Sequence, residues 1–178
     1  MLLLLILAFF LFLTIILLFF WIIGFALFLF YDFKNKVFFA PTDKKILIKF
    51  FSEFPFESNK KFYDLGSGDG RVVFLAAQKN LFAFGIENNP LLYFFSKIKK
   101  RFLNIDNAFF IRKDFRKIDL SDADYIYLYL LPSVLEELEE KIFKETKNDC
   151  VIISFSFPFS RKKPDEIFLE RFFIYRKS

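Results

Sequence analysis

Histidine is absent from this chain, and cysteine occurs once, as Cys150. Those two facts exclude a Ser-His-Asp triad, a Cys-His pair and any zinc site built from histidine and cysteine clusters. No disulfide can close within the chain, which suits a reducing compartment for its polar part. Cys150 opens the apolar run Cys150-Val151-Ile152-Ile153 and reads as inert packing. Glycine is scarce: the 178 residues hold 5, and three of them, Gly66, Gly68 and Gly70, crowd into one short stretch. Charge is missing from Leu2 to Tyr31, and the net charge of +5 therefore lies beyond them. The lysines are scattered, without a long basic block, so a solvated surface is the default reading of that charge. Phenylalanine is in excess, with 32 copies, so single phenylalanines carry little functional signal.

The uncharged run from Leu2 to Tyr31 exceeds the roughly 20 apolar residues that span a bilayer. A cleaved signal peptide fits it poorly: there is no basic segment before it and no small-residue cleavage site after it. The expectation is a transmembrane helix over residues 1–31, a linker over 32–42 and a domain over 43–178. Lys34, Lys36, Lys44 and Lys45 follow the helix, against Asp32 and Asp43. By the positive-inside rule the domain is cytoplasmic, which makes the protein single-pass in the cell membrane.

Past the linker the chain alternates. Thr42 reads as an N-cap with Asp43 in the first turn of a helix to about Phe54, ended by Pro55. Its apolar side is Ile46, Leu47, Phe50, Phe51 and Phe54, at helical spacing. Strands are expected at 61–64, 82–87, 108–112, 125–130 and 151–157. Helices are expected at 71–79, from Asn89-Pro90 to about 102, and from Pro132, the last with Glu136, Glu137, Glu139 and Glu140 as a solvated acidic face. The segment 166–177 reads as one long strand or a short hairpin. Strands alternating with helices predict a doubly wound, mostly parallel α/β sheet, Rossmann-like, behind the membrane helix.

In such a sheet ligands bind beyond the carboxyl ends of the strands. The first strand ends in Asp64-Leu65-Gly66-Ser67-Gly68-Asp69-Gly70-Arg71, a glycine loop opening a helix. This is the geometry that offers backbone N–H groups to a nucleotide-like ligand. The spacing is G-x-G-x-G, whereas the dinucleotide fingerprint needs G-x-G-x-x-G, so a nicotinamide oxidoreductase is disfavoured. With Asp64 in front, the loop resembles motif I of the class I, seven-stranded S-adenosylmethionine (SAM) methyltransferases. In that light Glu87, ending the second strand, is placed to accept hydrogen bonds from the ribose hydroxyls, with Asn88 beside it. Asp114 would accept from the adenine amino group, with Phe115 as an apolar wall. Asp64 and Asp69 would set negative charge near a sulfonium or an ammonium. Methyl transfer needs no histidine, because the donor is already activated and positioning carries the chemistry.

The resemblance narrows with Gly85-Ile86-Glu87-Asn88-Asn89-Pro90, Pro41-Thr42, Leu131-Pro132 and Phe157-Pro158-Phe159. Together these look like the membrane-anchored protein-lysine methyltransferases that act on the ATP synthase c-subunit and the adenine nucleotide translocase, and their prokaryotic relatives. That likeness implies SAM as cofactor and a lysine of a membrane-associated protein as substrate. It implies Pro41, Thr42, Tyr129, Pro132, Phe157, Pro158 and Phe159 around the substrate, and no metal. Tyr129, Phe157 and Phe159 would form an apolar pocket that favours the neutral, nucleophilic amine by desolvation. No residue stands out as a general base. Two features depart from the pattern: Arg116 follows Asp114-Phe115 where a tryptophan is usual, and Leu130-Leu131-Pro132 stands where Gly-x-Pro is usual. The sequence leaves open a lipid, quinone or other small hydrophobic substrate, and a SAM-binding protein without turnover. No nucleic-acid substrate is expected, since no Asn-Pro-Pro-aromatic tetrapeptide follows the fourth strand.

Overall fold

A computed structural model describes residues 1–35 and 43–177, with the side chains of 27–35 left aside; Pro41, Thr42 and most of the expected linker lie outside the described residues. The chain divides into two compact units, residues 1–38 and 39–178. The first is the helix α1, Leu2–Asn35. Within it, Leu2–Ala26 has a mean hydropathy of 3.3 and none of its most apolar window is buried. At 1.5 Å per residue these residues reach about 37 Å, longer than a hydrocarbon core of about 30 Å. By length and composition α1 can cross a membrane.

The second unit holds α2 (Lys44–Glu53), β1 (Lys61–Leu65), α3 (Arg71–Gln78), β2 (Phe82–Ile86), α4 (Pro90–Leu103), β3 (Ala108–Ile111), β4 (Tyr125–Leu128), α5 (Pro132–Glu145), β5 (Val151–Phe155), β6 (Glu166–Phe168) and β7 (Phe172–Arg176). A 3-10 turn, Phe115–Lys117, follows β3. The seven strands form one sheet in the order β3-β2-β1-β4-β5-β7-β6. β1 to β5 run parallel, and β7 enters antiparallel between β5 and β6. Strand order reverses at β1, where β2 and β4 lie on either side and the crevice for a ligand opens.

Both faces of the sheet are covered, as the near-continuous apolar strands require. Period-2 alternation divides each strand between two cores. Phe62 and Ile153 join Leu47, Phe50, Val73, Phe155 and Phe172 on one face. Tyr63 and Ile152 join Leu65, Leu120, Leu135, Ile142 and Tyr175 on the other. The phenylalanine excess is largely spent here. Phe50 is fully buried and stacks on Phe172 at 4.0 Å, with Phe54, Phe56 and Phe168 rings around it. Truncating Phe50 to alanine should destabilise the protein by about 3–5 kcal/mol, the usual cost of emptying an aromatic core site. Denaturant unfolding of the full chain in detergent checks it.

Several expected boundaries move. Asp43, not Thr42, is the cap of α2: its carboxylate accepts from Lys45 N at 2.8 Å. One residue later on the chain, the carboxylate reaches a free helix N–H and adds charge favourable to the dipole. β4 stops at Leu128, and β5 at Phe155 because Ser156 turns to φ +67°. The C-terminal segment is a hairpin, turned by Leu169 and Glu170, both at positive φ. Glu139 is not part of a solvated face. It is 3% exposed and accepts from Ser160 Oγ, Arg161 N and Lys162 N, pinning the loop after β5 to α5. Glu136, Glu137 and Glu140 are exposed. Cys150 is buried, and burial pushes its thiol up to about 12, so it is inert packing.

Candidate functional site

β1 delivers the chain to the glycine loop, and Gly66, Gly68 and Gly70 all take positive φ. Gly70 shows why: at φ +77° an added Cβ would also lie 2.6 Å from the Phe110 ring. The loop is tied to the neighbouring strand, with Gly66 N and Ser67 N both donating to Ile86 O, at 2.9 and 3.1 Å. Gly70 then opens α3, accepting from Phe74 N.

Glu87 closes the other side. Its carboxylate accepts from Gly68 N at 2.8 Å and from Asn89 N at 2.7 Å. It therefore joins the end of β2 to the top of the loop. Asn89 caps α4 through Leu91 N and Leu92 N, so the Glu87-Asn88-Asn89 corner is fixed by backbone bonds on both sides. Asn88 is partly exposed. Asp64 lies beneath, 3% exposed, and no hydrogen bond or ion pair reaches it among the described residues. Burial first, then the negative charges of Glu87 and Asp69, hold its carboxyl well above the ordinary range. Asp69 differs. Burial opposes its charge, but Arg71 and Lys99 outweigh that and keep it below the usual carboxylate value. Its charge is already matched by two cations.

Asp114 caps the 3-10 turn through Arg116 N at 3.0 Å. Phe115 is 5% exposed, with the Arg116 guanidinium 5.0 Å from its ring. Arg116, the departure noted in the sequence, pairs with Asp114 at 3.4 Å and with Glu137 of α5 at 2.7 Å. It ties the end of β3 to α5. Beyond β4 and β5, Tyr129 is half-buried and meets Phe155 edge-on at 5.0 Å. Phe157 is half-buried, while Pro132 and Pro158 are exposed. Phe159 packs in the core against Phe143 and Tyr175.

One residue, quoted in the sequence only as part of the resemblance, also shapes the candidate site. Gly85 sits in β2, and a Cβ there would meet Ser67 Oγ and Val73 Cγ2 at 2.8 Å and the Phe110 ring at 2.9 Å. Its lack of a side chain lets the loop and α3 close on the strand. The signal was available, since a glycine inside a strand marks close approach of another backbone. Gly85→Val should cost about 1–3 kcal/mol by overpacking and should loosen ligand binding. Thermal melting with and without ligand reads both effects.

The donor set suits a ligand that is cationic at one end and carries hydroxyls. It offers a buried carboxylate without a cation, a second carboxylate at the neighbouring strand end, and a glycine backbone that a ligand can approach closely, although the N–H groups of Gly66, Ser67, Gly68 and Gly70 are already bonded within the protein. Among the described residues no cluster could hold a metal ion. Residues 64–166, more than half of the chain, match the family model of the ANTKMT methyltransferase domain. The chain belongs to that family. The lysine N-methyltransferase of the ATP synthase c-subunit from Homo sapiens is 33% identical over 105 residues, 58% of this chain and 45% of the relative. A protein-lysine N-methyltransferase of Saccharolobus islandicus is 28% identical over 137 residues, 72% of this chain and 82% of the relative. The chain thus spans about half the length of the human relative. Among solved structures, an RNA methyltransferase from Salinibacter ruber in complex with S-adenosyl-L-homocysteine has a TM-score of 0.69 and 30% identity, covering 78% of this chain and 92% of that one. The fold is the class I methyltransferase fold, and SAM is the cofactor of the family's site.

Proposed function

We propose that this protein methylates a lysine amine of a membrane-associated protein, with the domain tethered by α1 on the cytoplasmic side. The observation that carries the reading is the buried Asp64 of β1 set close to Glu87, which is bonded to the glycine loop, within the span that matches the family. The lysine preference is supported by the relatives, named for lysine N-methylation. The tether is supported by the length and composition of α1.

When bound, SAM supplies a methyl group on a positively charged sulfur. Gly66 to Gly70 and Glu87 would hold the nucleoside and Asp64 the cationic end, with Asn88, Asp114 and Phe115 flanking the base. Tyr129 and Phe157, both half-buried past the strand ends, would exclude water from the amine. Desolvation lowers a lysine from its ordinary value of about 10.4 and favours the neutral nucleophile. The in-line attack then needs orientation more than a dedicated base.

A second reading is methylation of RNA. It is favoured by the Salinibacter ruber neighbour and the net charge of +5. Labelled SAM, incubated with the full chain in membranes from a strain deleted for it, decides between them. The proposal expects label in a protein band that yields methyl-lysine on hydrolysis. Label removed by ribonuclease supports the RNA reading. Label in organic extract, or none despite SAM binding, overturns both.

A further inference from the structure

α4 is built inside out. Of its fourteen residues only Ser96 is buried. Leu91, Phe94, Phe95, Ile98 and Phe102 are exposed by 38, 58, 58, 38 and 86%. Their spacing, i, i+3, i+4, i+7 and i+11, puts them in one stripe about 100° wide. Normally that stripe faces a core; here it faces outward. Lys97 and Arg101 border it on one side; Lys99, on the other, is paired with Asp69 at 3.7 Å, and the helix carries no acidic residue. Lys97 and Arg101 are exposed.

We propose that α4 lies on the surface of an anionic lipid bilayer, its apolar stripe in the headgroup boundary and Lys97 and Arg101 on the phosphates. A helix with a wide apolar face, bulky aromatics and flanking lysines is the pattern that binds such an interface in plane. The charge chooses the occupant. Two copies of this stripe packed together would bring Lys97 and Arg101 of one against those of the other, whereas an anionic surface neutralises both. The same chain carries a helix long and apolar enough to cross a bilayer. The inference adds a second membrane contact to the reading of α1 as an anchor and is independent of the methyl-transfer reading.

The test uses the full chain reconstituted in vesicles of phosphatidylcholine, alone or with phosphatidylglycerol. Native Cys150 is buried, so a Phe102→Cys variant takes an environment-sensitive fluorophore selectively; Ser121→Cys, exposed in the turn before β4, is the control. With phosphatidylglycerol present, acrylamide quenching at position 102 should fall about fivefold relative to the control, with a blue-shifted emission. Lys97→Glu with Arg101→Glu should restore quenching. Quenching at 102 that stays equal to the control in anionic vesicles overturns the proposal. So does shielding in detergent that grows with protein concentration, which would mark a second copy on the stripe. Carbonate extraction reads α1 separately. Release of the chain with position 102 still shielded before extraction would fail the anchor and keep the α4 contact.

Discussion

Glu87→Ala should weaken SAM binding by about 100-fold or more, because hydrogen bonds to a carboxylate contribute about 1.5–3 kcal/mol each and, on the proposed reading, this one would accept two. The same substitution unties the loop before any ligand arrives. Gly68 N and Asn89 N both lose their acceptor, so the loop and the start of α4 must find other partners. Titration calorimetry with S-adenosyl-L-homocysteine measures the loss, and circular dichroism shows whether the sheet survives. Glu87→Gln separates the two contributions. Its carbonyl oxygen keeps one backbone bond, so the loop should hold while affinity falls by about tenfold, roughly one charge-assisted bond. Normal binding by Glu87→Ala would mean that the pocket lies elsewhere.

Asp64→Asn should do the opposite to stability. The carboxyl is held above its ordinary value by burial and by Glu87 and Asp69. A raised acid value means that the folded state binds a proton which the unfolded state has already released. Stability therefore falls as pH rises from the ordinary value of 3.8 through the raised one, and the whole cost is present above it. The amide removes both the slope and the cost. At neutral pH the ligand-free variant should gain about 1–2 kcal/mol, or about 3–5 °C in Tm. Cofactor affinity should drop by about tenfold or more, since the cationic end of the ligand loses its buried counter-charge. In the unaltered protein, affinity should rise with pH through the same window, with proton release on binding. Calorimetry in buffers of different ionisation enthalpy detects that release. A Tm unchanged by Asp64→Asn and insensitive to pH in that window would sink the account.

The strand ends and the loop that frame the candidate site were legible in the sequence. A run ending in Asp64, three glycines and an acid at the next strand end follow from chain order and period alone, and the loop can form only with residues tolerant of positive φ. The illegible parts share one cause. Leu169 and Glu170 turn the last hairpin at positive φ without glycine or asparagine, so the usual hairpin signal is missing. Ser156 ends β5 in the same unannounced conformation. Tertiary contacts over-determine these backbones. Glu139 misled for a related reason: three acids around it face water, and only the return of residues 160–162 buries it. Long-range contact, not local pattern, decided each.

The stacking of Phe50 on Phe172 joins the first helix of the domain to its last strand. Phe54 meets Phe168 of the same hairpin. During synthesis α2 leaves the ribosome before the sheet, while the strands that cover its aromatic side emerge only after β1 to β5. A domain built this way cannot complete its core vectorially. Until the hairpin has emerged and docked, a band of phenylalanines stays open to chaperones or to misassembly. The slow step of biogenesis should be the docking of the C-terminal hairpin, so that truncations within the hairpin leave a chain that is synthesised but never closes.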